Sequence, residues 1–573
     1  MQRFSEDRNF EEGALYAGKN ALIYDSVQEE GNIYTVLKNS SKKYVDNFEV
    51  IKGELFYFSQ NEKEKKWAQE IGIKVSPYII IDGELMSSNT NLDLMDKATG
   101  TITIPQNVTK IGDGAFRDLE GLRSIVIPST VKEIGAYAFS GNPTLENVVI
   151  EEGVEKIGAF AFQNCTALKT IKIADSVSEI GNTCFGSCTS LVEINFPKSL
   201  KTIPYRMLSA CEALKELEIP EGITYIDTYA FEFCYNLTKI TIPSTVTTIN
   251  GSAFQNTNKL TSIEISPDNK NYTFSNSALM SRDGKNLYYI VPNTAEINIP
   301  ETVEVIEYGS VVQYSQRAVL NISKNVKYIN EIFTTTNITA INVVEENPYF
   351  KSENGNLYNK DMTVLYRCYE NQSSFIVPNT VKKIRQNAFW GESKLEQLTL
   401  SDNLEEIDGW LFGGTKIKSL HFGAKIKSIP TTVFSGVEGI DITISEENPN
   451  IKAEEGTYIL SKDGKGLIGV SKNLKTYNIP SSVDTIRSLA FYNRSNLNEI
   501  VLPIGIKGIG ESAFDYSVNL KKVTIQSNIE GIAANAFTRC NSLKEIIIDK
   551  KEGEISGAPW SCPYGLRAVF WKK

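Results

Sequence analysis

Ser124-Ile125-Val126-Ile127-Pro128-Ser129-Thr130-Val131-Lys132-Glu133-Ile134-Gly135-Ala136-Tyr137-Ala138-Phe139-Ser140-Gly141-Asn142-Pro143-Thr144-Leu145-Glu146 is followed at once by a variation on itself. The next stretch opens on Val148-Val149-Ile150 and continues through Val154, Ile157-Gly158, Ala161-Phe162 and Leu168. Self-similarity at a fixed period of this length marks a stack of identical supersecondary units, each too small to bury its apolar face alone. The length of 573 residues therefore does not imply several globular domains. A solenoid grows by stacking, not by enlarging one core.

Working outward, the apolar residue that closes each strand recurs as Ile104, Ile127, Ile150, Ile173, Phe196, Ile219, Ile242 and Ile265. It continues as Ile299, Ile322, Val343, Val377, Leu400, Phe422, Ile444, Ile479, Leu502, Ile525 and Ile548. Seven residues after this marker stands isoleucine, from Ile111 and Ile134 to Ile509 and Ile532. A phenylalanine column follows, from Phe116 and Phe139 to Phe514 and Phe537. Such columns predict continuous ladders through a core, with β-branched residues in extended segments. Proline directly after the marker, as at Pro128, Pro243 and Pro503, predicts the end of each strand. Gly112, Gly135, Gly158, Gly181 and Gly510 predict a turn between the isoleucine and phenylalanine columns.

The order Leu122-x-x-Ile125-x-Ile127 matches the strand half of a leucine-rich repeat. The Asn or Cys usual three residues later is replaced by Thr130, Gly153 and Ser176. The whole unit, I-P-x-x-V-x-x-I-G-x-x-A-F-x-x-C-x-x-L, resembles the BspA-like subclass of leucine-rich repeats over about residues 100–573. The resemblance implies a fold class of α/β to mainly β: a right-handed leucine-rich-repeat solenoid of 23-residue coils with three β-hairpin insertions, preceded by a small α+β region. It also implies an extracellular bacterial or protozoan surface protein that adheres to host matrix proteins or to other cells.

Composition narrows the function. The net charge is −10 and both signs are interspersed, so no basic block suited to nucleic acid exists. No apolar run is long enough to span a bilayer. The start, Met1-Gln2-Arg3-Phe4-Ser5-Glu6-Asp7, is not a signal peptide, and the family resemblance favours an export or anchoring segment upstream of it. Cys165, Cys188, Cys211 and Cys234 lie 23 apart and read as one column of buried free thiols. No C-x-x-C pair is present and His421 is the only histidine, which excludes paired-His metal sites and leaves no metal or cofactor expected. No nucleophile elbow or phosphate loop accompanies it, so no catalytic residue is assigned.

Three domains are expected. Residues 1–98 form an α+β cap, with a helix from Glu11 to Lys38, a hairpin of Phe48–Ile51 and Glu54–Phe58, and a capped helix from Ser59 to Ile71. A further hairpin turns at Asp82-Gly83; Ile81, 23 residues before Ile104, places its strand in the solenoid's register. Residues 99–549 form the solenoid. Residues 550–573 form a second cap, with Phe570 in a last strand and Trp560 as a lid. Three long marker intervals hold an insert with Asp283-Gly284, Lys360-Asp361 or Asp463-Gly464, each read as a hairpin projecting from one face. The irregular coils Gly309 to Asn342 predict a change of curvature.

A binding surface is expected at the outward strand positions and at sites of departure from the repeat. The candidates are Lys172, Glu193, Asn195, Glu216, Glu218, Thr241 and Glu264, then Thr399 and His421, with Trp390 and Trp410 as a shared patch. The reading is a non-catalytic scaffold whose partner is a host matrix or cell-surface protein or another bacterial surface component. The chain is monomeric unless assembled in a pilus. One alternative is a pilus-associated subunit, since Tyr44 to Leu85 loosely resembles the globular part of type IV pilin-like proteins. A remote alternative is a glycan hydrolase using carboxylates.

Overall fold

The computed structural model describes residues 98–555 apart from 292–294, 312–316, 331–337, 370–372, 438, 527–528 and 552–553; outside that span it describes 2–3, 14–17, 20–23, 48–51, 54–57, 74–75, 80–81, 83–85, 95–96 and 568–571. The chain divides into two compact units, Met1–Arg282 and Asp283–Lys573. Among the described residues both are built mainly of stacked short parallel strands with almost no helix, as the ladder of columns predicts.

In the first unit each coil contributes two strands. Ser124–Ile127 pairs in parallel with Asn147–Ile150, residue for residue at an offset of one repeat. Glu133–Ile134 pairs likewise with Lys156–Ile157. Alternation sends Ile125 and Ile127 inward and leaves Val126 outside. The phenylalanine column stacks ring on ring: Phe116, Phe139, Phe162 and Phe185 lie 5.1, 5.2 and 5.6 Å apart. Each ring is fully buried. Burying one such side chain is worth about 1.5–3 kcal/mol, and only the neighbouring coils make it possible.

The glycine column has a different cause from the expected turn. Gly135, Gly158 and Gly181 do not adopt left-handed backbone angles. A Cβ on Gly158 would lie 2.6 Å from the Ala136 nitrogen, and one on Gly181 only 2.3 Å from that of Ala159. Glycine is required there because adjacent coils touch backbone to backbone. The left-handed residues come later in each coil and are mostly not glycine: Tyr137, Phe160, Thr183 and Arg206, then Asn164, Ser187 and Ala210. Each amide of the first set is bonded to the next coil, as Phe160 N to Asn182 O at 2.9 Å.

Both ladders of the first unit break at one coil. One sheet ends at Glu193–Ile194 and another begins at Glu216–Glu218; the second ladder ends at Glu179–Ile180 and resumes at Thr202–Ile203. Elsewhere the residue after the isoleucine donates its N–H to the isoleucine of the coil before, as Gly181 to Ile157 and Asp227 to Ile203. Pro204 occupies that position and has no N–H to give to Ile180.

The N-terminal region departs from expectation. Ala14–Ala17 and Asn20–Ile23 form an antiparallel hairpin where a helix is predicted. The apolar residues there are as compatible with alternation as with a helical stripe. The hairpin Phe48–Ile51 with Glu54–Tyr57 is present. The helix expected over Ser59 to Ile71 lies outside the described residues. Ile80–Ile81 and Glu84–Leu85 pair about the predicted turn, but it is Glu84–Leu85 that joins the solenoid, opposite Lys110–Ile111. Ile81 thus caps the isoleucine ladder, not the marker ladder. Met95–Asp96 covers the marker ladder, running antiparallel to Thr101–Thr103. At the other end Ala568–Trp571 pairs with Glu545–Ile548, with Trp571 opposite Ile548, one residue off the register assigned to Phe570. Trp560 lies outside the described residues.

The three inserts contain the predicted hairpins, but these are packed in, not projected. The turns are Asn276-Ser277, Asn354-Gly355 and Glu455-Gly456, all left-handed. The strand after each turn is core: Ala278, Leu279 and Met280; Leu357 and Tyr358; Tyr458, Ile459 and Leu460. Each insert also turns a second time at the predicted place: Lys360-Asp361 and Asp463-Gly464 lead into a further antiparallel strand, Val364–Arg367 and Gly466–Val470. Each insert is rooted by a buried asparagine, Asn269, Asn347 or Asn448. These residues occupy the column that holds Val131, Val154, Val246 and Val326 in ordinary coils. Asn347 Nδ2 donates to Ser323 O and Val326 O, while its Oδ1 accepts from Tyr349 N and Phe350 N, all at 2.8–3.0 Å. Asn269 does the same with Pro243 O, Val246 O, Asn271 N and Tyr272 N. In the second unit, Gly355 O accepts from Ile341 N and Gly456 O from Ile442 N, so each hairpin tip ends a block of the marker ladder. Within the coils of predicted irregularity, the pairing of Ala318–Ile322 with Ile338–Val343 shifts register after Ala318.

Candidate binding surface

Outward residues of the marker strands form two columns on one face of each unit. In the first unit Lys172, Glu193, Asn195, Glu216, Glu218 and Glu264 are exposed and Thr241 is half-buried. They do not form one uninterrupted patch, because the ladder break falls between Glu193 and Glu216. Asn195 is committed to the backbone: its Oδ1 accepts from Ile173 N at 2.8 Å and its Nδ2 donates to Ile173 O at 2.6 Å. It replaces the strand pairing that Phe196-Pro197 ends. Glu264 is held by Lys239 at 2.8 Å, and this hydrogen bond raises the Lys239 ammonium above its ordinary value. Across the break, Glu218 pairs with Thr241 in register and Glu216 with Lys239.

In the second unit Thr399 and His421 are exposed on short two-stranded blocks. Thr399 stands opposite Ile376, an isoleucine 72 % exposed. The His421 ring Nδ1 lies 2.9 Å from Thr443 Oγ1, the next residue of its column. Trp390 and Trp410 touch at 6.3 Å, edge to face, and the row continues to Tyr492 and Tyr516. Both tryptophans are half-buried. The Trp390 ring lies on Gly413: its Cζ3 is 2.2 Å from where a Cβ would stand.

Residues that the sequence reading passed over occupy the same outward column in the middle coils. Asn321 Nδ2 donates to Asn298 Oδ1 at 2.8 Å, and Asn342 Nδ2 to Asn321 Oδ1 at 3.0 Å. Together with Ile376, these asparagines sit one residue before the markers Ile299, Ile322, Val343 and Val377, so the column rule itself finds them once it is applied to every coil.

The cysteine column is a hydrogen-bond ladder. Cys165, Cys188, Cys211 and Cys234 are buried and free, and each Sγ–H donates to a carbonyl of the coil before, Phe139, Phe162, Phe185 and Leu208, at 3.2–3.3 Å. Asn142, Ser517 and Cys540 hold the same position and make the same bond. Arg494 also occupies it and reaches across the third insert to Phe434 O. Burial pushes the thiols of Cys165 and Cys234 up to about 12, and those of Cys188 and Cys211 well above their ordinary value, so they are packing groups. Among the described residues no three metal-ligating side chains converge, and no helix is long and apolar enough to cross a membrane.

Stacked parallel strands with continuous side-chain columns, one face outward and one in the core, define a leucine-rich-repeat solenoid. The BspA type Leucine rich repeat region matches in six copies over residues 95–187, 155–281, 270–354, 361–455 and 470–562, and the chain belongs to that family. No curated protein matches it in sequence. Among solved structures it is similar to a leucine rich cell surface protein from Faecalibacterium prausnitzii, at 20% identity over 83% of this chain and 94% of that one, with a TM-score of 0.26. A leucine-rich repeat protein from Eubacterium ventriosum matches at 18% identity over 79% and 85%, with a TM-score of 0.28. The T. pallidum leucine rich repeat protein matches at 27% over 30% and 77%, with a TM-score of 0.25.

Proposed function

We propose that this chain is a non-catalytic cell-surface scaffold for adhesion, binding a host matrix or cell-surface protein, or another bacterial surface component, through its outward strand columns. The observation that carries this is the division of labour between columns. Inward columns are saturated with packing and hydrogen bonds, whereas outward ones change identity from coil to coil while keeping a fixed spacing. A surface of that kind offers a partner protein a regular array of distinct contacts. The exposed acids Glu193, Glu216 and Glu218 and the exposed Ile376 supply polar and apolar contacts within it. The hairpins contribute their exposed turn residues, Asn276, Asn354 and Glu455.

The test is binding of the purified chain to immobilised matrix proteins and to intact cells. Binding above background is expected, weakened by the double substitution Glu216→Lys and Glu218→Lys. Binding no stronger than that of an unrelated acidic protein would sink the proposal.

A further inference from the structure

The residue before each isoleucine of the second ladder faces outward. In six coils it is long and charged: Lys110, Glu133, Lys156 and Glu179, then Lys383 and Glu406. Several of these pair between coils, as Lys110 with Glu133 at 3.6 Å and Lys383 with Glu406 at 3.3 Å. In the last coils of the second unit the column shrinks to Thr485, Gly508 and Gly531. The bare strands leave an open trough of about 560 Å³, lined by Ile468, Thr485, Arg487, Ser488 and Gly510 besides the two glycines. That volume is in the range of ligand sites.

Gly508 and Gly531 are not the tight glycines of the neighbouring column. Neither has a left-handed backbone. Among the described residues nothing lies within 4 Å of a Cβ built on Gly531, and only the Thr485 methyl approaches one on Gly508, at 3.9 Å. Neither packing nor backbone angle calls for glycine there. Gly531–Ile532 is moreover an edge, paired on one side only among the described residues. A bare glycine in a sheet is stabilised when an aromatic ring covers it. Elsewhere in the molecule a ring lies over glycines of two turns: Trp390 covers Gly413 and lies 3.1 Å from the position of a Cβ on Gly436. Among the described residues no ring covers the glycine shelf of the trough. Its one charged lining residue is the exposed Arg487.

We infer that the Gly508–Gly531 shelf is a docking site for an aromatic side chain of a partner protein, flanked in that partner by a carboxylate that pairs with Arg487. The inference rests on the adhesion reading and names one contact within it. The ring lies flat on the glycine Cα atoms against Ile468, and the guanidinium holds the acid at the rim. Aromatic anchors in desolvated pockets beside a charged rim dominate protein recognition.

Saturation-transfer NMR on the full chain tests it, with acetyl-Asp-Trp-amide, acetyl-Lys-Trp-amide and acetyl-Asp-Ala-amide as probes. The first is expected to bind, up to about fivefold more tightly than the second, the reach of one exposed ion pair. The third should not bind. Gly531→Val fills open space with a residue suited to strands, so Tm should hold or rise while Trp-probe binding falls at least tenfold. Undiminished binding in that variant overturns the proposal, as does absence of binding or preference for the Lys probe. A lower Tm would also overturn it, since the shelf would then already be filled by the chain itself. Protein capture separates the two readings. If a matrix protein is bound equally by native chain and Gly531→Val, the shelf fails and adhesion stands. If the dipeptide binds and no matrix protein or cell does, the shelf stands and the adhesion reading fails.

Discussion

Replacing Asn347 by valine is the sharpest available test of how the repeat branches into an insert. Valine is what this column holds in ordinary coils, for example at Val326, so the substitution is conservative by the logic of the repeat and disruptive by the logic of the insert. Asn347 is fully buried and makes four hydrogen bonds, two to carbonyls of the preceding coil and two from amides of the insert. At about 1 kcal/mol net for each bond the loss is about 4 kcal/mol. Burial of the valine methyl groups offsets about 1 kcal/mol of this. The expected destabilisation is therefore about 3 kcal/mol.

In a stacked architecture that loss stays near the site, because each coil contacts only its neighbours. Hydrogen-exchange mass spectrometry is the suitable readout. The amides of Tyr349 and Phe350, bonded to the Asn347 carbonyl oxygen, should exchange on the order of 100-fold faster if they open locally, a tenfold change for each 1.4 kcal/mol. Peptides from Ser124–Ile127 should be unaffected. The exposed Asn325, whose side chain bonds Glu301 O, is the control; its alanine variant should shift stability by less than about 0.5 kcal/mol. Asn347→Val exchange indistinguishable from that control, or acceleration equal along the whole chain, would refute the clamp.

The cysteine ladder makes a comparable prediction. Cys211→Ser should fold with little change, since Ser517 already makes the same bond, whereas Cys211→Val leaves Phe185 O with the Cys188 N–H alone and should cost about 0.5–1.5 kcal/mol by urea denaturation. None of Cys165, Cys188, Cys211 or Cys234 should be alkylated by iodoacetamide at pH 8 until the chain is unfolded; reaction of the native protein contradicts their burial. Gly158→Ala should destabilise by about 1–3 kcal/mol through collision with the Ala136 backbone, while Ser187→Gly, at a left-handed position, should stabilise by about 1 kcal/mol. Glu232 is buried beside Arg206 at 3.1 Å, and burial raises its carboxyl above the ordinary value. Its folded pKa thus exceeds its unfolded one, so its contribution to stability is present at low pH and lost as pH rises through the raised value. The Tm of the native chain should therefore gain on that of Glu232→Gln between pH 7 and pH 4; a constant difference would show that the carboxyl is not perturbed.

The fold was legible because a solenoid writes each core position many times. One isoleucine is weak information, but Ile111, Ile134, Ile157 and Ile180 at equal spacing state which side faces in and which residues pair. Legibility failed where a position occurs once or has two physical readings. The stretch around Leu15 and Leu22 carries no repeat to settle its period, and alternation won over the helical stripe. The glycine column was found but misread, since a sequence does not distinguish a glycine needed for its backbone angle from one needed because the adjacent coil is too close. Of the outward residues, Glu216 and Glu218 could be placed by register. That Asn195 serves the backbone could not, because it follows from a strand ending one residue early. The ring contact of Trp390 with Trp410 was legible from their neighbouring columns. The glycine floor beneath Trp390 was not, since it requires knowing which way the ring turns.

Departures from the repeat fall into two kinds. Some are compensated within the chain: Asn347 replaces a valine and is bonded on both sides, Pro204 removes an amide and Asn195 spans the neighbouring gap, and Arg494 reaches the carbonyl that a cysteine would meet in an unbroken stack. Asn347 and Arg494 themselves supply what their break removes, and Asn195 bonds Ile173 N and O where the marker ladder ends. Gly508 and Gly531 break their column without any such return, for no described side chain covers them and nothing in their backbone requires them. An uncompensated loss of side chains in a sheet lowers stability, and at the Gly531 edge it leaves backbone open to unwanted pairing. A residue choice with that cost and no benefit among the described residues points beyond them, which is why the shelf, and not the more conspicuous cysteines or tryptophans, is the place to look for a partner.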